Sequence, residues 1–345
     1  MGGDNNLRLR GVTVGCGFFS RIQMESWRRV EGAQITAACD LDGAKAEAFA
    51  ADFGLKPYVD LDEMIEAEKP DFVDIATRPS THVPLCRAIA AKGIPILCQK
   101  PMAETWADAC ELAAVARATG ARLMINENWR WQGWYREIKR RLDAGDVGRP
   151  FYYSMQTRNR DGLGDQPFPN QPYFAEMPRL LLFEALVHHI DAARFLFGDI
   201  AEVYCRTAQL NSKILAEDFV LIMLEHESGV RGVIDGNRAS HPDDTGPAME
   251  VGRFEGFDAT LRLLHSGDVL LAGERVFEGS RLPPYRGDSC RATQQHFIDC
   301  LRGGTEFESE VSDYLRRTFA VVEACYLSAT ENRPVRVEEI AAGAG

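Results

Sequence analysis

The chain has 345 residues, more than one hydrophobic core usually serves, so two domains are expected. Its 45% apolar and 26% charged residues are ordinary for a soluble globular protein. A net charge of −12 argues against nucleic acid and anionic membranes as partners, since both reward basic patches.

The N-terminus is polar, without the apolar stretch of a secretion signal, and no apolar run approaches a membrane span. Nine cysteines with no paired spacing read as reduced, mostly buried thiols of a cytoplasmic protein. No Cys/His cluster has metal-ligand spacing, so no metal is expected.

From Leu9 to Asn128, apolar runs at 9–14, 34–40, 72–77, 94–98 and 122–126 alternate with helical patterns. The helical patterns lie at 21–30, 43–53, 62–68, 81–91 and 105–119. Such alternation predicts a parallel sheet with helices on both faces and ligands at the carboxyl ends of its strands. The first run leads into Gly15-Cys16-Gly17-Phe18-Phe19-Ser20, a GxGxxG pattern with serine last. Glycines here permit a tight turn and close approach of a diphosphate, and the next helix offers free N–H groups. The second run ends at Asp40, near the expected distance of ~20 residues downstream of the glycines. A carboxylate there accepts from both ribose hydroxyls of NAD and repels the extra phosphate of NADP. The alternative for Asp40 is an N-cap of the following helix.

Thr77 and His82 follow the run at 72–77, Thr77 placed to hydrogen-bond a cofactor and His82 to pack beside it. A first-turn histidine satisfied by backbone is the alternative for His82. The run at 94–98 ends in Gln99-Lys100-Pro101. Proline biases the residue before it to an extended conformation, so Lys100 is held stiffly at a strand tip. A lysine drawn partly out of water exchanges protons more readily; a lysine that snorkels to solvent is the alternative. Asn126-Glu127-Asn128-Trp129-Arg130-Trp131 leaves the last strand towards the same crevice, or forms a hinge packed by tryptophans.

After a helix at 136–144, strand signals appear at 151–157, 201–208, 219–226, 230–237, 249–252, 254–257 and 259–264. They predict a mostly antiparallel open sheet. Residues 162–178 form a long loop suited to substrate contacts, and late helices lie at 290–302 and 311–330. Residues 180–198 predict an apolar helix ending at Gly198. Glu184 and His188 share one of its faces, with Asp191 a turn further on. A carboxylate beside a histidine orients the ring. Zinc bound by Glu184, His188 and His189 is disfavoured, because adjacent histidines point roughly 100° apart on a helix.

Together these motifs resemble the Gfo/Idh/MocA oxidoreductase family over nearly the whole chain. The family's glycine motif is similar to Gly15-Cys16-Gly17-Phe18-Phe19, and its Glu-Lys-Pro to Gln99-Lys100-Pro101. Its Asp-x-x-x-His-x-x-Asp helix is similar to Glu184, His188 and Asp191, and its Asn-x-Arg-aromatic motif to Asn128-Trp129-Arg130-Trp131. The resemblance implies an α/β Rossmann domain with a parallel sheet, residues 1–128. It also implies an α+β domain with a mostly antiparallel open sheet, residues 129–345, whose late helices return to the first and whose sheet makes homo-oligomer contacts. It implies NAD as cofactor, held by Gly15, Cys16, Gly17, Phe18, Phe19, Asp40, Thr77, His82, Gln99 and Lys100. Lys100 and His188 carry over as the catalytic pair. Asn128, Trp129, Arg130 and Glu184 join them in binding a small unphosphorylated sugar or polyol. Glutamine at 99 cannot ionise, and glutamate at 184 reaches further than aspartate, so the chemistry transfers better than the substrate. The competing expectations are an oxidoreductase acting on dihydrodiols or imines, and a nucleotide-binding regulator without turnover.

Overall fold

The computed structural model describes residues 8–240, 250–279 and 285–342. The chain forms two compact units. One runs to Asn128 and adds Arg286–Leu315; the other comprises Trp129–Tyr285 and the chain from Arg316. Among the described residues no helix is long and apolar enough to cross a membrane.

The first unit is built on six strands, β1 (Leu9–Val14), β2 (Ala33–Cys39), β3 (Lys56–Tyr58), β4 (Phe72–Ile75), β5 (Ile96–Gln99) and β6 (Leu123–Asn126). Their order is β3-β2-β1-β4-β5-β6 and every pair is parallel. All residues of β4, β5 and β6 are buried, as expected of strands covered on both faces. The strand order reverses between β1 and β4, which places a crevice at their carboxyl ends. Five helices connect the strands: α1 (Phe18–Trp27), α2 (Gly43–Phe53), α3 (Leu61–Glu68), α4 (His82–Ala90) and α5 (Trp106–Thr119). β3 escapes a periodicity reading because it is three residues long with a proline at its centre. Helix α1 starts at Phe18, earlier than expected, so the glycine turn runs straight into a helix N-terminus.

The chain divides after Asn128, and Arg286–Leu315 belongs to the first unit. The helix Tyr285–Gly303 inserts Phe297, Ile298 and Cys300 into the first core, beside Trp27, Phe72 and Phe307. Ring contacts run from Trp27 to Phe72 at 5.1 Å, to Phe297 at 5.7 Å and on to Phe307 at 5.3 Å.

Asp74 lies in β4, fully buried, and its Oδ2 accepts from Trp27 Nε1–H at 2.7 Å. Burial pushes this carboxyl up to about 7. A folded-state value above the unfolded one means the fold prefers the protonated acid. The stabilisation is complete below about pH 4 and is lost as pH rises through 7. Asp74→Asn is therefore expected to stabilise the protein at pH 8.5 by up to about 4 kcal/mol and to change little at pH 4. Urea unfolding at the two pH values checks this; equal stability at pH 8.5 would contradict it.

The second unit is built on nine strands. They are β7 (Pro150–Arg158), β8 (Ile200–Ala208), β9 (Phe219–His226), β10 (Arg231–Asn237), β11 (Glu250–Gly256), β12 (Thr260–Leu263), β13 (Val269–Leu271), β14 (Glu274–Phe277) and β15 (Val335–Arg336). The order is β14-β13-β12-β11-β7-β10-β9-β8-β15, and all pairs are antiparallel except β7 with β10. The two strands expected at 249–252 and 254–257 are one strand, β11; Met249 lies outside the described residues. In β9 buried residues alternate with Leu221 and Met223, which are 37% and 55% exposed, so one sheet face is covered and the other open. Helix Ala320–Glu331 packs on β8.

The helix expected at 180–198 is not uniform. Leu181–Leu186 is π-helical, and α-helix resumes at Val187–Phe197. The Glu217 carboxylate secures its start, accepting from Leu180 N–H at 3.2 Å, Leu182 N–H at 3.1 Å and Tyr326 O–H at 2.7 Å. π turns are uncommon and frequently mark functional sites. The long loop is anchored where its Phe168 and Phe174 join an apolar cluster with Leu180, Ile214 and Ala216.

Candidate active site

In the first unit the glycine turn sits where the strand order reverses. Gly15 has φ +99, and a Cβ there would meet the Ala76 carbonyl at 2.5 Å, so only glycine fits. A Cβ at Gly17 would meet nothing within 4 Å, which leaves open space at the N-terminus of α1. Ser20, in the third glycine's place, donates to the Ala76 carbonyl at 3.2 Å and ties α1 to the end of β4. Cys16 is buried, and burial pushes its thiol up to about 12, so it serves through its backbone and stays protonated. Phe18 is exposed and Phe19 half-buried.

Asp40 is fixed beside this turn. Its Oδ2 accepts from Cys16 N–H at 2.9 Å and its Oδ1 from Asp42 N–H at 3.0 Å. The N-cap of α2 is Asp42, which accepts from Ala44 and Lys45, so the capping alternative for Asp40 is excluded.

The ends of β5 and β6 carry a pair of amides. Gln99 Oε1 accepts from Lys100 N–H at 2.6 Å, while the buried Gln99 Nε2 has no hydrogen-bond partner among the described residues. Asn126 stands opposite Gln99 in the sheet register, and both polar atoms of its buried amide lack partners there. Buried amides without partners are costly, which suits them to a polar ligand at the strand ends. Asn126 heads the stretch expected to leave the last strand towards the crevice, although it is not among the residues the family resemblance assigns to the cofactor. Lys100 is half-buried and precedes Pro101 through a cis bond.

His82 takes the backbone-satisfied, first-turn place that was the alternative for it. Its Nε2 faces the Thr77 carbonyl and its Nδ1 the Met102 carbonyl, both at 3.2 Å. Burial lowers its pKa, and the ring lies between the two loops that carry these carbonyls. Thr77 Oγ1 accepts from Thr81 Oγ1 at 2.7 Å. Asn128 is likewise committed inside the unit, its Nδ2 donating to Ser289 Oγ at 2.9 Å and Cys290 Sγ at 3.3 Å.

In the second unit, Trp129 stacks on His188 with centroids 5.0 Å apart, and its Nε1–H donates to Glu250 Oε1 at 3.0 Å. The same oxygen accepts from Tyr135 O–H at 3.0 Å. Glu250 is fully buried, and burial pushes its carboxyl up to about 7. His189 bonds Thr157 Oγ1 at 2.7 Å and lies 3.7 Å from Glu250 Oε2. No local sequence signal points to Glu250 as the partner of Trp129 and Tyr135. Among the described residues no group of three or more ligating side chains could hold a metal.

Arg130 was expected to meet substrate. It is buried and forms a two-point pair with Asp191, Nε to Oδ2 at 2.7 Å and Nη2 to Oδ1 at 2.6 Å. Thr318 Oγ1 donates to the same Asp191 at 3.0 Å. Glu184 has Arg238 Nη2 at 3.5 Å, a partner its helical spacing to His188 did not suggest.

A doubly wound parallel sheet with a glycine turn, a carboxylate beside it and unpartnered strand-end amides defines a dinucleotide-binding protein. The model of an oxidoreductase family with an NAD-binding Rossmann fold matches residues 9–127, and that of the GFO/IDH/MocA C-terminal domain matches residues 135–255. The chain is 36% identical to a D-apiose dehydrogenase of Paraburkholderia graminis, over 98% of this chain and 92% of that one. It is 33% identical to a D-apiose dehydrogenase of Rhizobium rhizogenes, over 96% and 99%. The structure of an oxidoreductase from Agrobacterium radiobacter in complex with NAD+, L-tartaric acid and magnesium superposes with a TM-score of 0.90. It is 33% identical and covers 96% of this chain and 99% of that one. The chain belongs to the GFO/IDH/MocA oxidoreductase family, and its first unit is an NAD-binding Rossmann domain.

Proposed function

We propose that the protein is an NAD-dependent dehydrogenase that oxidises a hydroxyl of a small unphosphorylated sugar, D-apiose in the first instance. The likeness over almost the whole chain to two D-apiose dehydrogenases carries this reading. NAD, when bound, accepts the hydride that leaves the substrate carbon. The backbone of Gly15, Cys16 and Gly17 and the N-terminus of α1 hold its diphosphate, and Asp40 its ribose hydroxyls. The Gln99 and Asn126 amides supply donors and an acceptor for a carboxamide. His188, its ring fixed against Trp129, takes the hydroxyl proton, and Lys100 polarises the substrate oxygen. Oxidation at the anomeric carbon yields a lactone. For a phosphate on the sugar, three arginines of the second unit are already committed. Arg130 is neutralised by Asp191, Arg158 by Asp235 and Arg238 by Asp161 and Glu184.

We further infer assembly into a homo-oligomer through the open face of the second sheet, where Leu221 and Met223 are exposed. All nine cysteines are free, which supports a cytoplasmic location. Sedimentation of the full chain reports its assembly.

The reading is tested by offering the purified protein NAD with pentoses, hexoses, apiose, inositols and aromatic dihydrodiols, and following NADH absorbance. Turnover of a sugar or polyol is expected; turnover confined to dihydrodiols would overturn it. Wild type is expected to prefer NAD to NADP in kcat/KM, and Asp40→Ala to narrow that preference by removing the repelling carboxylate. A wild type that prefers NADP would remove the ribose role of Asp40.

A further inference from the structure

Arg238 follows the last residue of β10 and is 6% exposed. Its backbone N–H donates to the Asp218 carbonyl at 3.0 Å, and its carbonyl accepts from Gly162 N–H at 3.1 Å. A Cβ at Gly162 would lie 2.7 Å from Arg238 Cβ, so the long loop approaches this residue through a glycine. The guanidinium is bracketed by carboxylates. Nη1 donates to Asp161 Oδ2 at 2.8 Å, and Nη2 lies 3.5 Å from Glu184 Oε2. The cation stands over the Phe168 ring at 5.7 Å. Its Nε–H is buried and has no hydrogen-bond partner among the described residues.

Two placements tie this cluster to the helix that carries His188. The parallel strands β7 and β10 end side by side. From the end of β7, Thr157 bonds His189; directly after β10, Arg238 reaches Glu184. Glu184 keeps 19% of its side chain exposed, so its carboxylate can still accept from a ligand. A guanidinium has five N–H donors and no acceptor; a carboxylate accepts only. A vicinal diol is the complement: one hydroxyl accepts from the cation and its neighbour donates to the carboxylate. Two carboxylates against one guanidinium also leave the cluster net negative, which disfavours anionic substrates.

We propose that Arg238 and Glu184 form a recognition pair for a neutral vicinal diol, held to the long loop through Asp161. The proposal rests on the sugar-oxidation reading and names which groups select the substrate. The full chain is compared with Arg238→Gln, Arg238→Lys, Glu184→Gln and the Arg238→Gln/Glu184→Gln double variant. The readouts are kcat and KM for D-apiose and for a deoxy analogue lacking one hydroxyl of the diol, and NAD binding by fluorescence. Arg238→Gln is expected to raise the sugar KM about 10-fold or more, with a smaller change in kcat. NAD affinity should stay within about twofold, a split that general damage to the fold would not produce. Discrimination against the deoxy analogue should shrink in this variant, and Arg238→Lys should recover part of it, since lysine restores charge without the fork. The double variant should cost little more than Arg238→Gln, because both changes touch one diol. An unchanged sugar KM, or undiminished discrimination, overturns the proposal. If Arg238→Gln does not fold, Arg238→Lys decides: a KM equal to wild type overturns it. If wild type oxidises no sugar or polyol, the functional reading and this proposal fall together. If wild type does and the variants match it, only this proposal falls.

Discussion

His188→Ala is expected to lower kcat about 10²–10⁴-fold, the range associated with a positioned general base. NAD affinity should change little, because the groups assigned to the cofactor all lie in the first unit. The ring is 7% exposed and stacked on Trp129, whose indole is in turn bonded to the buried Glu250. Removing the imidazole therefore leaves its support in place. Lys100→Met should produce a loss of similar size. The double variant should be little worse than either single change, since groups acting on one proton and one oxygen work as a unit. Stopped-flow and steady-state rates of NADH formation provide the check. Retained kcat in both single variants, with NAD still bound, would defeat the assignment of the pair.

Arg130→Met is expected to destabilise the protein by about 3–5 kcal/mol, the cost of leaving one half of a buried ion pair without the other. Asp191 is wholly buried and would keep only the Thr318 hydroxyl of the partners described above. At roughly 2–4 °C per kcal/mol for a unit of this size, Tm should fall by about 6–20 °C. Arg130→Lys should also be destabilising, because an ammonium cannot reproduce the parallel bonds from Nε and Nη2. Pairing Arg130→Met with Asp191→Leu should recover much of the loss, as apolar replacement of both partners often does. Thermal melts by circular dichroism measure all three. A loss below about 1 kcal/mol for Arg130→Met would show that the pair is not buried as described.

Local patterns made the first unit readable. Its strands are apolar runs, its glycine turn needs Gly15 for a positive φ, and Asp40 directly follows a strand at the distance the turn implies. The residues that were missed or misplaced depend on partners far away in the chain. Arg130 looked available for substrate because Asp191 is remote in sequence. Arg238 and Glu250 carried no local signal, yet one reaches Glu184 and the other fixes Trp129. His82 shows the converse: of its two readings, the local one, a first-turn histidine facing backbone carbonyls, needs no distant partner. The short strands β3, β13, β14 and β15 have too few residues for alternation to register. The π turn over Leu181–Leu186 also hides in sequence, because apolar spacing alone does not separate it from α-helix.

The late return of Phe297 to the first core has a consequence for how the protein is made. Synthesis releases Trp27 and Phe72 long before the aromatic ring that packs between them and Phe307 exists. At about 5–20 residues per second, the ribosome needs roughly 10–30 s to pass from Asn128 to Phe297. During that interval the six parallel strands can all be present while their core lacks one wall. The NAD-binding unit thus completes only after nearly the whole polypeptide has been translated, and a gene fragment stopping at codon 128 would encode an aggregation-prone torso rather than a portable nucleotide-binding module.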